Sequence, residues 1–321
     1  NTPIVVLAAP VVRDVATSMN LSPKRFLIPL SYIAIMGGAC TLIGTSTNLL
    51  VNDMARNAGQ PVFGMFEITP VALIIAAVGG LYLFIFGERL LANGSDDGEG
   101  HGRHEQTGDG MLGDLELFAV DRPFQPRRAM IAMGVFVAVI AAAALGIAPI
   151  AASAFAGAVI LILMRIITPE EAYAGLRPEV LLLIAGMVVV GLSIEVTGLA
   201  AAGTELLIDF IRPLGPWAAL AILYGVTLFA TELLSNAAVA VLITPVAVAL
   251  AESLGVDPRP FLIGVMMAAS AAFATPFGYQ TNVLVFQVGK YKYMDFVKVG
   301  VPLNLVTWVA GVAAIPLFFP F

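Results

Sequence analysis

Apolar residues run along this chain in long unbroken stretches rather than in alternation. The runs are roughly 4–19, 26–58, 66–88, 129–147, 149–167, 179–200, 216–253, 261–289 and 297–319. Runs of this length predict membrane helices, because about 20 apolar residues span a bilayer core. Three runs are interrupted. The run 216–253 is too long for one span and carries Thr231-Glu232-Leu233-Leu234-Ser235-Asn236 at its middle. Its arms of about 15 and 17 residues reach roughly 22–26 Å at 1.5 Å per residue, short of the ~30 Å hydrocarbon core. The pattern predicts a re-entrant helical hairpin with a polar tip inside the membrane, where irregular backbone must be buried in protein or line a wet cavity.

The run 261–289 contains Thr275-Pro276-Phe277-Gly278-Tyr279-Gln280-Thr281-Asn282, and 26–58 contains Thr41-Leu42-Ile43-Gly44-Thr45-Ser46-Thr47-Asn48. Proline, glycine and polar residues at such places predict helices broken at mid-length. A broken helix exposes unpaired N–H groups on one side and C=O groups on the other.

These features recur at a fixed spacing. The stretch from Asn1 aligns with the stretch from Asn236: Pro10 with Pro245, Pro23 with Pro258, Phe26 with Phe261. After a one-residue gap, Ile43–Asn48 aligns with Phe277–Asn282. Hairpin arm plus broken helix therefore occurs twice.

Composition agrees: 59% of residues are apolar and 12% charged, with a mean hydropathy of +0.94. Soluble domains carry about 25% charged residues. A water-soluble globule, a nucleic-acid binder and a disordered chain are excluded. Continuous apolar runs also exclude a membrane β-barrel, whose strands alternate. The fold class expected is an all-α polytopic membrane protein of inverted repeats, with re-entrant helical hairpins and broken transmembrane helices.

One hydrophilic Gly- and Asp-rich loop, about 92–126, interrupts the apolar pattern. Its His101 and His104 read as solvated rather than as a metal site. If the loop is cytoplasmic, Arg13, Lys24, Arg25, Arg89, Arg103, Arg122, Arg127, Arg128, Arg165, Arg177, Lys290, Lys292 and Lys298 fall inside, as the positive-inside rule requires. Only Arg56, Arg212 and Arg259 fall outside. This trace faces the two copies oppositely, the architecture of secondary transporters, whose sites lie near the midplane at the repeat interface. The organisation expected is 1–91 as the later part of the first repeat, 92–128 as the loop, and 129–321 as the second repeat. The chain opens at Asn1-Thr2-Pro3 directly before an apolar run and reads as N-terminally truncated. Cys40, the single cysteine, reads as a small packed thiol in a helix.

The chemistry at the tips and breaks is neutral: Asn, Ser, Thr, Gln and backbone. There is no catalytic set, metal-ligand cluster or phosphate loop, so no enzyme activity and no cofactor are expected. Carbonyl and hydroxyl oxygens suit a hard cation such as Na⁺. Half-helix N-termini at Asn1, Asn236, Thr47 and Thr281 suit an anion. Glu232 reads equally as a functional intramembrane acid or a structural one. Glu195 reads as a helix-end residue, and Tyr279 is the one aromatic given a place at a site.

These motifs resemble the divalent anion/sodium symporters of the ion-transporter superfamily. The hairpin motif, usually Ser-Asn-Thr in that family, appears as Asn1-Thr2-Pro3 and Ser235-Asn236-Ala237, and the breaks as Gly44–Asn48 and Gly278–Asn282. Thr168–Ala200 and Asp295–Val306 resemble the bacterial branch with TrkA-C domains in the central loop, whose place the 92–126 loop would take. The resemblance implies a homodimeric, elevator-type, sodium-coupled importer in the cell membrane, multi-pass, carrying a small inorganic or organic divalent anion. One sodium site would use Asn1 and Gly44, the other Thr231, Ser235, Asn236 and Gly278. Substrate would touch Asn1, Thr2, Ser235 and Asn236, with Thr47 and Thr281 at the adjoining half-helix ends. Ala237 stands where the family has a hydroxyl, which favours sulfate over a C4-dicarboxylate. Proton coupling, an antiporter or arsenite-type permease, and a non-transporting scaffold are the alternatives.

Overall fold

The computed structural model describes residues 1–87, 90, 125–144, 147–148, 150–174 and 214–321, with 189, 193, 196 and 197. The 92–124 part of the hydrophilic loop, with His101 and His104, lies outside the described residues, as do Glu195, Arg177 and Arg212. The described residues form helices and connecting turns, without strands. The chain divides into two compact units: Asn1–His104 with Met187–Phe321, and Glu105–Gly186.

The second unit contains α5 (Pro126–Ala144), α6 (Ile150–Leu163) and the short α7 (Pro169–Ala174). Gly157 of α6 lets the two long helices approach: a Cβ there would lie 2.5 Å from Val139 Cγ2. α7 opens with reciprocal caps, in which Thr168 N donates to Glu171 Oε2 (3.0 Å) and Glu171 N to Thr168 Oγ1 (3.2 Å).

The first unit holds the two stretches whose motifs align in sequence. The first is α1 (Thr2–Ser18), α2 (Lys24–Ala39), α3 (Ser46–Asn57) and α4 (Thr69–Tyr82), the last extended by a π turn, Leu83–Gly87. The second is α8 (Gly215–Thr231), α9 (Asn236–Leu254), α10 (Arg259–Ser270), α11 (Gln280–Gly289) and α12 (Tyr293–Phe318). The aligned motifs match α1, α2 and the start of α3 to α9, α10 and the start of α11, and α4 and α12 follow in the same order.

The copies interlock crosswise. α3 packs on α9 and α10 of the other copy, while α11 packs on α1 and α2. The counterparts α4 and α12 pack on each other and run antiparallel. Tyr82 near the end of α4 donates to Val299 O near the start of α12 (3.2 Å), and Glu67 and Pro70 near the start of α4 share a cavity with Phe318 and Phe319. Two inter-copy clasps mark the ends of this bundle. At one, the buried Tyr291 donates to Lys24 O and accepts from Ile28 N. At the other, Arg259 pairs with Glu67 beneath the rings of Phe63 and Phe319.

Among the described residues, Thr69–Gly87, Pro126–Ala143, Asn236–Leu254 and Tyr293–Phe318 are long and apolar enough to cross a membrane. α9, with 19 residues, is therefore longer than the arm expected from the sequence, because helical geometry continues to Leu254. Arm length alone does not make 216–253 re-entrant; what matters is where its tip sits. Cys40 is also placed differently from expectation. It caps α2 at the first break instead of lying in a helix, half-buried, with Sγ donating to Met36 O (3.4 Å).

Candidate functional site

Both breaks form where helical hydrogen bonding gives way to side-chain partners. The first runs 40–45. The second runs 271–279 and starts earlier than Thr275-Pro276 suggests. The residue before a proline already disfavours helix. The peptides ahead of it are drawn out of the helix by tertiary partners: Tyr32 OH donates to Phe273 O (2.5 Å), and Ala274 N donates to Glu232 Oε1 (2.7 Å).

Each half-helix that follows a break clasps it with one asparagine. Asn48 Nδ2 donates to Thr41 O (3.1 Å) and lies 3.4 Å from Ala39 O. Asn282 Nδ2 donates to Ala272 O (2.8 Å) and Thr275 O (3.2 Å). Both asparagines are fully buried. The paired motifs therefore end in Asn because its amide donates to two break carbonyls. The acceptor ends differ: Asn282 Oδ1 lies 2.7 Å from Ser31 Oγ, whereas Asn48 Oδ1 is buried and meets no donor. Thr281 turns inward too, 2.8 Å from Ser31 Oγ, and Thr47 is buried.

At the first break, Asn1 caps α1 and lies directly against Gly38. A Cβ on Gly38 would come within 1.8 Å of Asn1 Oδ1. Gly44 in turn faces Gly38, and a Cβ on it would lie 2.0 Å from Gly38 O and 2.9 Å from Thr41 Oγ1. Asn1, Gly38, Thr41 and Gly44 thus form one oxygen-bearing cluster in which only glycine fits at two places. Asn1 Nδ2 also donates to Tyr279 OH (3.0 Å), and the neighbouring Thr2 Oγ1 to Gln280 Oε1 (3.2 Å). The first arm therefore touches the second break.

At the second break, Thr231 and Glu232 at the end of α8 face the helical body, while Leu233, Leu234 and Ser235 at the tip of the α8–α9 hairpin are exposed. Thr231 Oγ1 is buried, 2.8 Å from Ala269 O and 2.7 Å from Asn236 Oδ1. Ser235 is exposed and caps α9, accepting from Ala238 N (3.2 Å). Gly278 closes the turn: a Cβ there would meet Ala272 Cβ at 2.8 Å, Thr275 Oγ1 at 2.9 Å and Glu232 Oε2 at 3.2 Å. The half-buried Glu232 is thus part of the break.

Thr231 meets Asn236 and Ala269 O, with Glu232 joining the Gly278 turn, and at the other break Asn1 and Gly44 each pack on Gly38. Thr2 joins Asn1 at the rim. Ser235 adjoins Asn236 in the chain, with its hydroxyl capping α9. Sequence reasoning missed Gly38, Ser31, Tyr32, Thr69 and Asn304. Asn304 was the most findable, as a polar residue within a long apolar helix. Among the described residues, no group of three or more His, Cys, Asp or Glu side chains could hold a metal ion. The oxygens present are neutral except for Glu232.

A protein-family model described as a citrate transporter matches residues 1–255 and 238–321. An uncharacterized transporter of Synechocystis sp. is 35% identical over 60% of this chain and 31% of its own. Sodium/sulfate cotransporter 1 of Chlamydomonas reinhardtii is 31% identical over 50% of this chain and 18% of its own. The sodium-dependent dicarboxylate transporter SdcS of Staphylococcus saprophyticus is 30% identical over 44% and 27%. The matched segments span less than a third of the length of each of these relatives.

Proposed function

We propose, from the premise that this chain belongs to the citrate-transporter family and through it to the divalent anion/sodium symporters, that it is a cation-coupled secondary carrier of a divalent anion. It is a multi-pass protein of the cell membrane, of a transporter family and not an enzyme family. The coupling ion in this reading is Na⁺, and the anion is sulfate or a C4-dicarboxylate. The absence of a hydroxyl at Ala237 favours sulfate.

One observation carries the proposal: each break is completed by oxygens from the hairpin motif. Thr231 Oγ1 meets Asn236 Oδ1 and Ala269 O, the adjoining Glu232 meets the Gly278 turn, and Asn1 packs on Gly38, which Gly44 faces. Oxygen clusters of that kind suit a hard cation. In this reading Asn1 and Gly44 hold one Na⁺, and Thr231, Ser235, Asn236 and Gly278 hold the other. Asn1, Thr2, Ser235 and Asn236 receive the anion. The half-helix starts near Thr47 and Thr281 lend it their positive dipole ends. Bound cations offset the anion's charge, which ties the two fluxes together.

The antiparallel packing of α4 on α12 supports oppositely facing repeats, 1–91 and 129–321, separated by the 92–128 segment. A homodimer moving its site by an elevator motion completes the proposal. The test is uptake of sulfate and of succinate into proteoliposomes of the full-length protein under an inward Na⁺ gradient. The reading expects accumulation of one of the two that collapses when the gradient is dissipated. Uptake indifferent to anion and gradient would sink it.

A further inference from the structure

Glu232 lies one residue beyond α8, and its side chain reaches back into the second break. Its Oε1 accepts from Ala274 N (2.7 Å) and from Asn304 Nδ2 (2.7 Å). Its Oε2 accepts from Thr275 N (2.9 Å) and Thr275 Oγ1 (2.8 Å). All four partners are donors, which matches the acceptor-only role of an ionised carboxylate. The two consecutive backbone N–H groups form a small anion-binding nest for it.

The peptide joining Phe273 to Ala274 is fixed at both ends. Its N–H goes to Glu232, and its C=O accepts from Tyr32 OH (2.5 Å). Gly300 of α12 presses on the same place, where a Cβ would lie 2.0 Å from Phe273 O. The neighbour of Glu232 in the chain, Thr231, presents its hydroxyl to Ala269 O and Asn236 Oδ1. A formal negative charge therefore stands one residue from the oxygen cluster of the second break. The described support of the first break is neutral there: Thr69 Oγ1 donates to Cys40 O (2.7 Å).

We infer that Glu232 is a positioning residue for the second coupling cation. It fixes the 274–275 backbone of the break next to Thr231, and its charge makes the Thr231–Asn236–Ala269 oxygens the cluster that fills at the lower Na⁺ concentration. This rests on the transporter reading. A unit charge removed from so close to a cation in a partly desolvated site weakens binding on the order of tenfold or more.

The experiment is a Na⁺ titration of thermal stability in the purified full-length protein without anion, followed by uptake at saturating Na⁺. Glu232→Gln keeps the size of the side chain, removes the charge and turns an amide NH2 toward one of the two donor pairs. Its Na⁺ midpoint rises at least about tenfold, while anion half-saturation at saturating Na⁺ moves less than about threefold. A purely structural staple would not produce that split. An unchanged Na⁺ midpoint, or parallel loss of Na⁺ response, anion affinity and folding stability, overturns the inference. If E232Q does not fold, Asn304→Ala decides. It removes one donor and keeps the charge, so its Na⁺ midpoint stays within about threefold while its melting temperature without Na⁺ falls. A tenfold weaker Na⁺ response in N304A overturns the inference. A wild-type protein that shows neither a Na⁺ response nor Na⁺-driven uptake fails the transporter reading itself. A wild type that responds alongside an identical E232Q fails only the role of Glu232.

Discussion

The two breaks share a plan and differ in what holds them. In both, an asparagine at the start of the following half-helix donates to two break carbonyls, and a glycine closes the turn. Around that plan the partners diverge. The first break is tied to α4 by one hydroxyl, Thr69 to Cys40 O, and its clasping Asn48 leaves an acceptor unpaired. The second is tied by a carboxylate with four donors, by Tyr32 from the other copy, and by Ser31 on the acceptor of Asn282. A duplicated frame can thus keep its backbone geometry while its electrostatics separate. The first break has a neutral hydroxyl as its support; the second has a carboxylate.

The comparison is broken most severely at the glycines. Gly44→Ala places a methyl 2.0 Å from a backbone oxygen that cannot rotate away, so Na⁺-driven uptake should fall on the order of a hundredfold or more. Gly278→Ala meets Ala272 Cβ at 2.8 Å and Thr275 Oγ1 at 2.9 Å, so the turn must shift there too, by less than at Gly44. Its uptake should fall less than that of G44A, and an equal or greater loss in G278A would reverse the order of the two sites.

The asparagines sharpen it. Asn282→Ala frees Ala272 O and Thr275 O, leaves Ser31 Oγ with Thr281 alone, and should cost about 2 kcal/mol in chemical denaturation. Asn48→Ala also removes the unpaired acceptor and should cost about 1 kcal/mol. Equal losses would mean that the unpaired Oδ1 has no energetic consequence. Smaller still, Thr69→Val removes one hydroxyl bond to Cys40 O, with an expected cost of about 0.5–1 kcal/mol by the same measurement.

Much of this frame was legible because hydrophobicity, prolines and repeated motifs are local signals. Pro10 and Pro245 sit at matching places in α1 and α9, and both Gly-x-x-x-Asn motifs open a half-helix after a break. The supports were not legible, because they join positions far apart in sequence. Tyr32 meets Phe273 and Ser31 meets Asn282, pairs set by the crosswise packing of the copies. Ser31 and Tyr32 sit in an apolar helix with no local mark of their partners. Glu232 was visible as an acid in an apolar stretch, yet its direction was open, since only folding shows that Ala274 N and Thr275 N point at it. The early end of α10 at Ser270 has the same origin: tertiary partners, not the proline, take its last peptides out of the helix.

The crosswise interlock underlies every contrast drawn between the breaks, and a double-mutant cycle reads it directly. Ser31→Ala, Asn282→Ala and the double variant are compared by equilibrium denaturation in detergent. With Ser31 Oγ and Asn282 Oδ1 buried 2.7 Å apart across the two copies, the cycle should return a coupling of about 1 kcal/mol. Single-variant losses that add to within about 0.3 kcal/mol would place the two residues out of contact and contradict the interlocked fold.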